Sequence, residues 1–163
     1  MSRTARPVAA WVPPASWTLS FAGLAISIYL TFTHFAGNQY LACSSTGVVN
    51  CGAVTTSAQS YFLGVPVAVL GLINYVTLSV LTSPWAWRAR AYWIHVVRLV
   101  LVVVSMAFVL WLVAAELLII NHICLWCTGV HVVTFALFAV MVSVAPAQLG
   151  WVRGVEEFDA PSR

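Results

Sequence analysis

Four stretches of this chain run for the width of a bilayer with almost no charge in them. A helix crossing the ~30 Å hydrocarbon core needs about 20 mostly apolar residues. Trp17–Ala36, Gly64–Leu81, the part of Tyr92–Ile120 beyond Arg98, and a run from near Cys124 to near Ala145 meet that demand. Lipid offers backbone groups no partner, so such runs become helices. Composition agrees: the 163 residues are 62% hydrophobic and 7% charged, whereas a soluble domain carries roughly 25% charged residues. The expected fold is all-α and polytopic, a four-transmembrane-helix bundle with a cysteine-bearing outer loop between helices 1 and 2. Pro13-Pro14 and Ser83-Pro84 read as breakers outside the spans. Pro66 falls in the first turn of the second, where its missing N–H costs nothing. The first run is longer than the ~7–15 residue core of a signal peptide and no A-x-A site follows, so it reads as a retained helix. The expected divisions are a cytoplasmic N-terminal segment over 1–16, a membrane domain over 17–145, and a polar cytoplasmic tail over 146–163 that carries Glu156, Glu157 and Asp159.

Charge orients the bundle. Arg3 and Arg6 precede the first span, Arg88 and Arg90 lie between the second and third, and Arg153 and Arg163 follow the fourth. Gly37–Leu63 and Asn121–Ile123 carry no Lys or Arg. The positive-inside rule then places both termini in the cytoplasm. All four cysteines, Cys43, Cys51, Cys124 and Cys127, fall on the other side of an inner or plasma membrane, where disulfides persist. The net charge of +3 comes with no basic run, so nothing points to nucleic acid.

INHICLWC (Ile120–Cys127) places a C-x-x-C pair at the start of the fourth helix. Asn121 is the expected N-cap. Cys124 would then lie in the first turn, near the positive end of the helix dipole, where a thiol ionises more easily. Cys127 lies about 4.5 Å deeper, and helical spacing continues the face through His131, Phe135 and Phe138. On this reading Cys124 meets aqueous chemistry and Cys127 looks into an aromatic-lined space. Two other accounts remain. Cys124, Cys127 and His122, with Cys43 and Cys51, could hold a metal, or the cysteines could form two structural disulfides. A bridge inside one C-x-x-C turn closes a tiny loop and adds little stability, so exchange is favoured and no metal is assigned.

The outer loop reads ACSSTGVVNCGA over Ala42–Ala53. Its Ser, Thr and Gly content suggests a mobile or half-ordered segment. A flexible thiol pair beside a fixed one suits a relay, because a thiolate passes a disulfide on by attacking a neighbouring sulfur. By chain position Cys51 takes the inner role and Cys43 the outer one; a static Cys43–Cys51 bridge is the simpler alternative. Ser57, Gln59 and Ser60 follow the loop and offer polar groups at the helix mouth.

Together, the loop pair Cys43…Cys51, VNCGAV at Val49–Val54, FLGVP at Phe62–Pro66 and CLWC at Cys124–Cys127 resemble the vitamin K epoxide reductase family in its bacterial form. The resemblance spans about Trp17 to Ala145. It implies a four-helix bundle enclosing a quinone (menaquinone, ubiquinone or vitamin K-like) beside the C-x-x-C. It also implies electrons from a separate thioredoxin-fold, DsbA-like partner: Cys43 exchanges with that partner, Cys51 shuttles, Cys124 receives and Cys127 faces the quinone. His131 stands where the vertebrate type often has Tyr, and Ser60 where it has a quinone-bonding Asn. His131, Ser60 and Phe135 are the expected quinone contacts. The other quinone-coupled disulfide generator, the DsbB type, has the two cysteine pairs in the reverse order.

Among the remaining polar residues, Asn74 suggests an interhelical hydrogen bond and Glu116 a carboxyl that reaches interfacial water or relays protons. Gly64 and Gly71 suggest close helix packing. His34, His95 and the tryptophans at 11, 17, 85, 87, 93 and 126 suggest interface positions. The expected function is a membrane thiol:quinone oxidoreductase that generates disulfides outside the cytoplasm. Quinone recycling driven by thiols is the alternative of the same chemistry, and a non-enzymatic tetraspan with a metal or structural cysteine site is the alternative of another class.

Overall fold

The computed structural model describes residues 8–43, 46–89 and 91–149. Six helices follow in order: α1 Val12–Ala36, α2 Cys51–Thr55, α3 Val67–Leu81, α4 Pro84–Arg88, α5 Tyr92–Ala115 and α6 Leu125–Leu149. Among the described residues three segments are long and apolar enough to cross a membrane: α1, Tyr92–Ile120 and α6. Their outer faces stay apolar, with Ile28, Val104, Leu110 and Val132 all exposed, as lipid contact requires. The fourth apolar helix, α3, has 15 residues and extends about 22 Å at 1.5 Å per residue.

Pro13 and Pro14 do not stand outside the first helix. They occupy its first turn, where the backbone N–H groups have no intrahelical partner in any case. One face of α1 is a row of small buried side chains, Ser16, Ser20, Gly23 and Ser27, which lets α3 approach closely. Any Cβ at Gly23 would overlap the Tyr75 ring. Gly71 meets Ser27 Oγ at 3.5 Å, measured from an added Cβ, and Thr31 Oγ1 donates to the Ala68 carbonyl at 3.1 Å. Gly64 has a different task from the packing expected of it. It turns a short hairpin, β1 Tyr61–Phe62 against β2 Val65–Pro66, with φ of 82° beside Leu63 at 51°. A two-residue hairpin turn needs that left-handed pair, so α3 starts only at Val67.

A π turn, Glu116–Ile120, extends α5. Asn121 then adopts φ 57°, ψ 25° and ends that helix instead of opening the next, a left-handed role that Asn tolerates. Cys124 takes the place expected of Asn121. It immediately precedes α6, and its sulfur accepts the Cys127 N–H at 3.4 Å. Helix α6 runs through Pro146 to Leu149, with Gln148 and Leu149 buried. The expected tail therefore begins inside this helix, and its residues 150–163, with Glu156, Glu157 and Asp159, lie outside the described residues, as do Arg3 and Arg6.

At the end of the bundle that carries Arg98, Ser20 and Thr82 hydroxyls meet at 3.1 Å, Trp87 Nε1 donates to Ser16 Oγ at 3.2 Å, and Arg98 Nε donates to the Leu81 carbonyl at 2.9 Å. The Arg98 guanidinium lies 3.8 Å over the Trp87 ring. His95 and Trp87 are thus parts of an interior cluster, not an interface belt. A second apolar core, Tyr75, Leu78, Val102, Leu137 and Met141, fills the middle.

Candidate functional site

The cysteine loop is pinned, not loose, in its described part. Val49 forms a parallel bridge with Ile123; Asn50 N donates to the Ile123 carbonyl at 3.1 Å and Ile123 N to the Val48 carbonyl at 2.9 Å. Asn50 also caps α2, its Oδ1 accepting from Ala53 N at 3.0 Å. The first residue of α2 is Cys51, so this pairing delivers Cys51 to the residue before α6. Cys43 and Cys51 are disulfide-bonded with Cα atoms 6.1 Å apart. Cys124 and Cys127 are free thiols.

Cys51 and Cys124 share one buried cluster with Leu30, Leu41 and Val54, and Cys43 packs at its edge. The aqueous access expected at Cys124 is therefore absent: it is 0% exposed, because the loop folds over the helix mouth. The hydrogen bond with the Cys127 side chain holds the Cys124 thiol below its usual range against the opposing effect of burial, and the N–H groups of Cys127 and Trp126 reinforce the lowering. A thiol with a lowered pKa is the better leaving group in disulfide exchange.

Cys127 faces a cavity of about 460 Å³, with His131, Ser60, Gln59, Asn74 and Glu116 also on its wall. Most of the remaining wall is aliphatic or aromatic. Ser60 lies on this wall, and its hydroxyl donates to the Ser57 carbonyl at 2.7 Å, which leaves it an acceptor. Phe135 stays outside: it is 56% exposed and not on the cavity wall. Each four-residue step on a helix advances the face by about 40°, so two steps from Cys127 carry the ring round to the outer surface. Thr134 lines the cavity in its place. Phe138 packs against the middle core.

Donors with unspent capacity gather on this wall. His131 is nearly buried and has no hydrogen-bond partner among the described residues. Asn74 accepts from Ser105 Oγ at 2.9 Å, the expected interhelical bond, and keeps its NH₂ group for the cavity. The Tyr75 phenol is committed to Thr134 Oγ1 at 2.8 Å and the Val130 carbonyl at 3.1 Å. Glu116 does not reach interfacial water. It is the first residue of the π turn, 6% exposed, on the cavity wall. Among the described residues no group of three or more His, Cys, Asp or Glu gathers as a metal site.

Two aromatic residues were not legible as site residues. Trp126, expected in an interface belt, donates from Nε1 to the Ala42 carbonyl at 3.0 Å, and its ring packs on Tyr29 with centroids 4.6 Å apart. The only sequence signal was its place between the two cysteines of the motif. Comparison with curated proteins gives no match. The sequence model of the vitamin K epoxide reductase family matches residues 14–142, a range that contains the loop pair, the C-x-x-C pair and the cavity. The chain belongs to the vitamin K epoxide reductase family.

Proposed function

We propose that, within the quinone-linked thiol chemistry its family implies, this protein oxidises an extracytoplasmic thioredoxin-fold, DsbA-like dithiol protein and passes the electrons to a membrane quinone. The observation that carries this reading is the series placement of the sulfurs. The Val48–Asn50 pairing to Ile123 brings Cys51 into one cluster with Cys124, and the partner of Cys124 in the C-x-x-C lines the cavity.

In this relay the dithiol partner attacks Cys43, releasing Cys51 as a thiolate. The partner's second thiol completes its own disulfide and frees Cys43. Cys51 attacks Cys124 of an oxidised Cys124–Cys127 pair, and Cys127 leaves as a thiolate. Cys43 then attacks Cys51, restoring the loop disulfide and releasing Cys124. The result is the bonding state seen here, loop oxidised and C-x-x-C reduced.

The cavity suits a quinone because its wall is mainly apolar with a few placed donors, the usual character of a small-molecule site. A bound quinone supplies an acceptor for two electrons and two protons. His131 and the Asn74 amide would donate hydrogen bonds to its oxygens, and Cys127 would face its ring. Cys124 and Cys127 close into a disulfide as they surrender two electrons and two protons. The Ser60 hydroxyl, donating elsewhere, serves as a mouth residue instead of a quinone donor. Four membrane crossings, with both termini cytoplasmic and the cysteines outside, complete the reading; α3 crosses with help from the hairpin before it.

Loss of quinone absorbance tests it, with a reduced thioredoxin-fold protein as donor. The wild-type chain turns over. Cys43→Ala, Cys51→Ala and Cys127→Ala each reduce the rate to background while remaining folded. Full activity in any one of them with this donor overturns the order of transfer. Reporters fused after Arg163 and in the Arg88 loop both read cytoplasmic if the orientation is right.

A further inference from the structure

We propose that Tyr29 and Trp126 form a latch on residue 42 that keeps Cys43 in place to retake Cys51 after Cys51 has bonded to Cys124. The inference rests on the relay above and assigns two positioning residues to its last internal step.

Ala42 immediately precedes Cys43, and side chains from two different helices take both of its backbone polar groups. Its N–H donates to Tyr29 Oη at 2.7 Å, and its carbonyl accepts from Trp126 Nε1 at 3.0 Å. Tyr29 Oη also donates to the Tyr40 carbonyl at 2.9 Å, so one phenol brackets residues 40 and 42. The Tyr29 and Trp126 rings pack on each other, and each half of the latch steadies the other. Leu41, between the bracketed residues, is buried with Cys51 and Cys124.

The two ends of the loop are thus held differently. The Cys51 end is fixed by backbone pairing to Ile123. The Cys43 end carries one short 3₁₀ turn, Asn38–Tyr40, and the side-chain contacts of Tyr29 and Trp126 on Ala42. Trp126 lies between Cys124 and Cys127, so the same indole registers the loop and the turn that presents the C-x-x-C.

The chemistry explains why that register matters. When Cys51 is bonded to Cys124, the thiolate of Cys43 must attack Cys51. The Cys43–Cys51 bond forms, the Cys51–Cys124 bond breaks, and Cys124 leaves carrying the electron pair. A displaced attacking group slows such a step steeply. Without the latch, Cys43 wanders and the Cys51–Cys124 species accumulates.

The test quenches the enzyme with acid and alkylating agent during turnover on a thioredoxin-fold dithiol and a quinone. Peptide mass spectrometry then measures the Cys51–Cys124 fraction. Tyr29→Phe keeps the ring and loses both hydrogen bonds; the fraction should rise at least about fivefold and turnover fall about tenfold, the scale of one to two lost hydrogen bonds, in protein that remains folded. Trp126→Phe should shift both in the same direction. Cys43→Ala marks the ceiling: if it accumulates none of this species, the relay itself is wrong. If Cys43→Ala accumulates it and Tyr29→Phe does not, the latch is wrong. Hydrogen exchange on the wild-type protein stands apart from any folding defect: the Ala42 amide must be protected, and exchange at the rate of a free loop overturns the proposal.

Discussion

The two ends of the bundle both contain polar side-chain atoms with no partner among the described residues, yet they are built for different ends. At the arginine end, Arg98 Nη2 and Gln148 Oε1 have no partner among the described residues. The space beside them is about 20 Å³, enough for one water. At the cysteine end, His131, the Asn74 amide and Gln59 face a cavity of about 460 Å³. An unpartnered polar atom marks a ligand site only where there is room for a ligand. Around the small space, the Ser20–Thr82, Trp87–Ser16 and Arg98–Leu81 hydrogen bonds tie helices together. Around the large one, polar contacts hold a loop and leave the wall free.

This contrast predicts that substitutions at one end alter stability and those at the other alter chemistry. The largest effect is expected from Arg98→Met, which removes the stack on Trp87 and the bond to Leu81 O. It should lower stability by on the order of 2 kcal/mol, seen as a fall in melting temperature in detergent, with turnover per folded molecule unchanged. A loss of turnover at constant stability would break the comparison. Next, His131→Phe should raise the KM for quinone by about fivefold to tenfold, the scale of one hydrogen bond, leaving both melting temperature and disulfide exchange with the partner as they were. An unchanged KM would reduce His131 to packing. The smallest effect sharpens the electrostatics of the cysteine end. Its hydrogen bond with Cys127 is the main cause of the lowered Cys124 thiol pKa. Cys127→Ala removes that cause, so the thiolate of Cys124 forms at higher pH. Alkylation of reduced protein, followed from pH 6 to 10, should show its midpoint move upward; a midpoint that stays or falls refutes the assignment.

Much of the cysteine end was legible in the residues. The spacing of C-x-x-C put Cys127 one turn inside Cys124, and one further turn reached His131; both lie on the cavity wall. Projection failed at Phe135, where a drift of about 40° per four residues had accumulated. It failed again at Asn121, which fits both the end of one helix and the start of the next. Cys124 looked accessible because the helix alone does not show the loop that covers it. Glu116 looked interfacial because its place near a helix end does not show which neighbours bury it.

By itself the sequence determined the apolar runs, the asymmetry of arginine and the order of the cysteine pairs, because bilayer width, charge transfer cost and thiol chemistry act on local stretches of chain. Only the tertiary structure decided how each helix is rotated about its axis, that Gly23 receives the Tyr75 ring, and that Tyr29 and Trp126 meet at Ala42. In lipid the outward face of a helix is as apolar as its packed face, so hydrophobic patterning carries little rotational information. Rotation is settled instead by small residues, a few hydrogen bonds and loop contacts between segments far apart in the chain.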